Sequence, residues 1–242
     1  MDYTYLYSTR IQKNFDEDQA EILSMFADKF EKEPKFAIQL INYYKGMPVS
    51  FKARVAGVEK GSLDLDVNPQ QAVTIDAERY TFIRSNLFKY DIMAQAQYIN
   101  IRRRAVLLRK MCYVEIIAER RSHIRLEMES SIDAIFNSPA GIVKGKIVEL
   151  SMGGAVMEVI EAGNAVLDDQ ANLLMMVSDA GQSAKYNIAV PAMLVSILDN
   201  LRPVRFIFSI TTDKISDRLI AKHLFNRQVE IIRELKDASG LR

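Results

Sequence analysis

The sequence predicts a protein that is mainly β with flanking helices: two small antiparallel β-barrels in tandem, the second followed by a C-terminal helix. Three observations carry this expectation. Short runs of alternating apolar and polar residues recur along the chain. Gly, Pro, Asn and Asp separate those runs at close intervals. Two stretches with helical apolar spacing stand outside them, one before the first run and one after the last.

The first thirteen residues form a short extended leader. A helix follows from Asp16 to about Glu33, with Asp16 as its cap and Gln19 three residues on, as a capping box requires. Ile22, Leu23, Phe26 and Phe30 give it one apolar face, and Pro34 stops it. Val49, Phe51, Ala53 and Val55 then alternate with polar residues, as do Leu63, Leu65 and Val67, which marks two half-buried strands. Glu59–Ser62 is the turn between them. Further strands are expected at Ala72–Ile75, Tyr80–Ile83, Ile92–Ile99 and Ala105–Leu108, completing a first barrel. Tyr113–Ala118 is a β-branched run leading into an arginine pair. Strands at 134–136, 142–150, 155–159, 172–177, 186–198 and 204–210 build a second barrel. Ser216 caps a last amphipathic helix that runs to about Lys236, with Ile220, Leu224, Ile231 and Leu235 on one stripe. The domains are expected at 1–112 and 113–242.

Composition excludes several classes. The chain has 242 residues, 49% hydrophobic and 26% charged, in the range of an ordinary globular protein. No stretch has the twenty or so mostly apolar residues that span a bilayer, so no membrane insertion is expected. The N-terminus lacks the basic and apolar regions of a secretory signal. Cys112 is the single cysteine and forms no internal disulfide, which fits a reducing, cytoplasmic location. With His123 and His223 as the only histidines, a structural zinc site has too few ligands, and Cys112 is expected as a small buried hydrophobe. No phosphate-binding Gly-rich loop or dinucleotide fingerprint occurs. An enzyme is therefore not expected, nor a metal, nor a bound cofactor.

The net charge is only +1, but it is unevenly spread. Arg102–Arg125 holds eight basic residues against Glu115 and Glu119. Such a local patch suits a small compact anion better than a long nucleic acid. Its first part, Arg102-Arg103-Arg104, is expected as an exposed turn. Its last part, Arg120-Arg121-Ser122-His123-Ile124-Arg125, crowds three guanidiniums into six residues. Each offers forked donors for phosphate and a flat face for a purine. The same run is compatible with a solvated basic turn. Some twenty-five residues later comes Glu149-Leu150-Ser151-Met152-Gly153-Gly154, between two strands. There a carboxylate can accept the N–H donors of a guanine edge, a serine can bond a phosphate or base, and glycine admits close approach. The same segment also fits a hairpin turn whose glycines supply positive φ.

Taken in order, the two motifs resemble the PilZ domain, a bacterial receptor for cyclic di-GMP. That family carries R-x-x-x-R, followed by D/N-x-S-x-x-G on a β-barrel. Arg121 and Arg125 match the first motif, with Arg120 as an extra arginine. Ser151 and Gly154 match the second, and Glu149 stands where the family has Asp or Asn. The resemblance spans about 115–236, and the whole chain is similar to the two-domain flagellar-brake type. It implies a PilZ-type second barrel and a cyclic di-GMP site of Arg120, Arg121, Arg125, Glu149, Ser151 and Gly154. It also implies a nonenzymatic effector that signals to a protein partner. A flagellar motor, an exopolysaccharide synthase and a transcription factor are all compatible outputs, as is a homodimer. Two alternatives stand beside it: a degenerate PilZ module that binds partners without ligand, and a nucleic-acid-binding barrel using Arg102–Arg125.

Overall fold

A computed structural model of the chain describes residues 6–59, 61–161, 164–178, 185–198 and 202–240. The first five residues of the expected leader lie outside these. Backbone contacts divide the chain into two compact units, one of 1–44, 48–122 and 232–242, the other of 45–47 and 123–231.

In the first unit, β1 (Tyr7–Thr9) precedes α1 (Phe15–Lys32). Asn14, not Asp16, caps α1: its side-chain oxygen accepts from the Glu17 amide at 2.9 Å. Asp16 thus sits in the first turn, where a carboxylate meets the positive end of the helix dipole. Strands β2 (Ala37–Tyr44), β3 (Met47–Glu59) and β4 (Ser62–Asp66) follow. Ala72–Ile75, expected as a strand, is instead the middle of α2 (Pro69–Glu78). Asn68 caps α2 and Pro69 occupies its first turn, where a missing N–H costs nothing. Ala72, Val73, Thr74 and Ile75 are all buried, so the segment has no alternation to betray its period.

β5 (Tyr80–Arg84), β6 (Asp91–Asn100) and β7 (Ala105–Ile116) complete the sheet, in the order β1-β7-β4-β3-β2-β5-β6. Because β7 also pairs with β6, the strands β2–β7 form a ring. The run Tyr113–Ala118 therefore does not open the second domain. Its first four residues extend β7, which passes through the expected 112/113 division without a break.

Two apolar clusters cover opposite sides of β2. Ile38 and Leu40 join Ile22 and Phe26 of α1, while Ile41 and Tyr43 join Phe82 and Val114. A buried polar network lies among them. The Asn42 amide donates to the Tyr80 carbonyl at 2.7 Å, and its oxygen accepts from Gln71 and Thr81, each at 2.7 Å. Satisfied in this way, the network specifies one packing of α2 on the sheet.

The second unit is a closed barrel of β8 (Leu126–Ser138), β9 (Gly141–Ser151), β10 (Gly154–Glu161), β11 (Gln170–Ser178), β12 (Lys185–Leu198) and β13 (Arg205–Ile210). The order around it is β10-β13-β12-β11-β8-β9. Phe136 and Phe208 meet inside it with ring centroids 4.8 Å apart. The helix α3 (Lys214–Ala238) comes last. Its cap is Asp213, which accepts from the Ser216 amide at 2.7 Å, while the Ser216 hydroxyl accepts from the Asp213 amide at 3.0 Å. Ser216 is thus the reciprocal partner in the capping box, not the cap itself.

Asn42→Ala leaves Gln71, Thr81 and the Tyr80 carbonyl short of a partner, and is expected to cost about 1–3 kcal/mol in urea unfolding. On α3, burial pushes the His223 imidazole below its ordinary value of 6.5; Glu230 opposes the shift and Arg227 adds to it. A lowered folded pKa favours the folded state above 6.5, and that contribution is lost as pH falls below it. The urea midpoint is expected to fall between pH 7.5 and 5.5 by less in His223→Gln than in the wild-type protein.

Candidate functional site

The two sequence motifs meet through a strand register. β8 and β9 pair with Leu126 opposite Leu150 and Glu127 opposite Glu149. Extended by one residue, that register sets Arg125 opposite Ser151, with Glu149 diagonal to it. Arg125 Nη1 lies 3.9 Å from Glu149 Oε2, and both side chains are largely buried. Arg125 Nε is buried and takes no hydrogen bond among the described residues.

A bulge places Glu149 where it is. Across β9 and β10, Glu149 pairs with Val156 but Ile147 pairs with Met157, so one extra residue intervenes. Ile147 and Leu150 are both fully buried. The bulge shifts the alternation, so that Leu150 enters the barrel interior and Glu149 and Ser151 share the other face.

Ser151 and Gly154 are the register pair that closes the β9–β10 hairpin over Met152 and Gly153. The Ser151 hydroxyl donates to the Gly154 carbonyl at 3.1 Å and is buried. The segment is a hairpin turn, but neither Gly153 nor Gly154 has the positive φ that this alternative assigned to them. They serve close approach instead. A Cβ on Gly154 would lie 2.9 Å from the Phe208 carbonyl, and one on Gly153 would lie 3.3 Å from His123 Cδ2. Sequence reasoning gave His123 no part in this neighbourhood. It also missed Arg227 on α3, which is 4% exposed and donates from Nε to the Glu127 carbonyl at 2.9 Å, two residues from Arg125. The available signal was its place between Leu224 and Ile231 on the apolar stripe.

Arg120 and Arg121 are described with the first unit. Arg120 ends a short 3-10 helix, Ile117–Arg120, and forms an ion pair with Glu115 of β7, which also pairs with Arg10. Arg84 pairs with Asp91 at 2.6 Å and Glu119 at 2.7 Å, and these two carboxylates raise its already high pKa. All these residues but Arg121 line a cleft of about 700 Å³. Arg102–Arg104 occupy an exposed turn between β6 and β7, as expected. Cys112 is buried, and burial pushes its thiol up to about 11, which leaves no thiolate at neutral pH. Among the described residues no group of three His, Cys, Asp or Glu is placed to hold a metal.

No family model matches the sequence, and no curated protein matches it. Solved structures do. The chain is similar to the K. pneumonia MrkH–c-di-GMP complex, with a TM-score of 0.46, 12% identity and coverage of 94% of this chain and 99% of that one. It is similar to Escherichia coli YcgR in complex with c-di-GMP, with a TM-score of 0.43, 14% identity and 98% of each chain covered. It is also similar to the Bacillus subtilis inhibitor of motility MotI, with a TM-score of 0.43, 10% identity and coverage of 81% and 97%.

The hairpin geometry generates a paired test. Gly154→Ala sets a methyl against a carbonyl of a closed barrel and is expected to cost about 1–3 kcal/mol by thermal or urea unfolding. Gly153→Ala meets only the exposed His123 ring, which can turn aside, and is expected to stay within about 0.5 kcal/mol of wild type.

Proposed function

We propose that the chain is a receptor for cyclic di-GMP that passes ligand occupancy on to a protein partner. The observation that carries this reading is the β8–β9 register, which continued by one residue brings Arg125 beside Ser151 and Glu149, with Arg125 Nη1 3.9 Å from the Glu149 carboxylate. The ligand is a dianion with two guanine faces. Arg121 and Arg125 would pair with its phosphates and stack on its bases, and Arg120 would do one or the other. Glu149 would accept from a guanine edge, with Ser151 beside it. Gly154 keeps the hairpin tight enough to hold both.

Arginines in this segment stand on either side of the passage from the first unit to the second, between residues 122 and 123. Ligand capture would order the segment and bias the domain arrangement, by as much as the ligand's affinities for the two arrangements differ. Carboxylates compete with it. A phosphate must displace Glu115 from Arg120, and it shares Arg125 with Glu149. The Arg125–Glu149 pair is also the one observation that favours a second reading, a module of the same fold that binds its partner without ligand.

Isothermal titration with cyclic di-GMP separates the two. Saturable binding to the wild-type protein is expected, and Arg121→Ala and Arg125→Ala are each expected to weaken it roughly 10- to 150-fold, the worth of one charge-assisted hydrogen bond. GTP and GMP should not compete. A folded protein that shows no saturable binding supports the ligand-free module. Salt-dependent binding to any long polyanion supports a nucleic-acid role instead.

A further inference from the structure

We propose that the outward face of α3 docks on the surface of a bilayer rich in anionic lipid. This proposal is independent of the ligand reading. The helix buries one stripe, made of Ser216, Ile220, Leu224, Arg227, Ile231 and Leu235. At 3.6 residues per turn, the opposite side is an arc of about 100°. The cations Lys214, Arg218, Lys222, Arg233 and Lys236 fall in that arc, and all five are exposed. Asp217, Glu230, Glu234 and Asp237, the carboxylates of the helix, all fall outside it.

The same arc carries large apolar side chains in water. Ile215 is 73% exposed, Phe225 63% and Ile232 41%, with the half-buried Val229 between the last two. Cations and exposed hydrocarbon therefore share roughly 30 Å of one helix face. A face of this kind binds two things together, negative charge and an apolar medium, and an anionic bilayer surface offers both. Phe225 and Ile232 enter at the level of the acyl chains, and the lysine and arginine heads reach the phosphates on their long stems.

Charge and spacing argue against other occupants. In a second copy packed antiparallel about Val229, Lys222 would face Lys236, and a parallel copy would set every cation against itself. Nucleic acid would use the cations but leave Ile215 and Phe225 without a role. A protein groove would have to match Ile215 and Phe225, about 15 Å apart, with cations between them. A fluid bilayer adapts to that spacing without a matched pocket. The mode is adsorption at the interface, since no helix among the described residues is long and apolar enough to cross a membrane.

The test is sedimentation of the full chain with vesicles of phosphatidylglycerol and phosphatidylcholine in equal parts, beside vesicles of phosphatidylcholine alone. Binding to the mixed vesicles is expected, falling as salt is raised, with little binding to the neutral ones. Arg218→Gln with Arg233→Gln is expected to weaken it about 30-fold, at about fivefold per cation near an anionic surface. Phe225→Ser is expected to weaken it about 10-fold. These side chains are exposed, so circular dichroism should show unchanged folding. A folded wild-type protein that ignores the mixed vesicles overturns the proposal, and so does equal binding to neutral vesicles. A shift of a short DNA duplex, or self-association in size exclusion, without vesicle binding would assign the face to those occupants instead.

Discussion

Closing six strands into a small barrel brings backbone against backbone, and among the described strand residues two glycines make that approach possible. A Cβ at Gly145 would lie 2.3 Å from the Glu158 carbonyl, and one at Gly154 would lie 2.9 Å from the Phe208 carbonyl. Only a residue without a side chain lets β9 and β10, and β10 and β13, come that close. There the β9–β10 hairpin is short, and the Ser151 hydroxyl donates to the Gly154 carbonyl. A glycine that resembles a ligand motif in sequence is thus a packing requirement of the barrel in structure.

The cationic run does not act as a single patch. Arg102–Arg104 face water in a turn, Arg84 and Arg120 are held by carboxylates in the first unit, and Arg125 lies beside Glu149 in the second. Like charges so close in sequence are tolerated because each finds solvent or its own counter-charge. Glu149 fits this arrangement, since its carboxylate comes within 3.9 Å of Arg125. Its carboxylate is therefore part of the local charge balance whether or not a guanine edge also uses it.

The strands that alternate were legible, and for a simple reason. β13 buries Phe206, Phe208 and Ile210 and turns the residues between them outward, so its period shows directly. β2 was invisible because both of its faces are covered: Leu40, Ile41, Asn42 and Tyr43 are buried in succession, and a strand without a polar face has no period. α2 failed for the same reason. The caps went astray by a few residues because Asn14 and Asp213, rather than their neighbours, have the geometry to reach an amide two or three residues on.

What the sequence determined by itself was local. It fixed the residue types of the two motifs, their order along the chain, the turn between β9 and β10, and the apolar stripe of α3, because each depends on neighbours a few positions away. Tertiary structure decided which of those residues meet. The bulge at Ile147–Glu149 sets which face of β9 carries Glu149, and the β8–β9 register sets Leu126 across from Leu150 and so brings Arg125 to Glu149, twenty-four positions along the chain. Arg227 reaches the Glu127 carbonyl from a hundred residues away. A one-residue slip in any of these pairings would turn the side chains to the opposite face, and no pattern within either strand alone records which register wins.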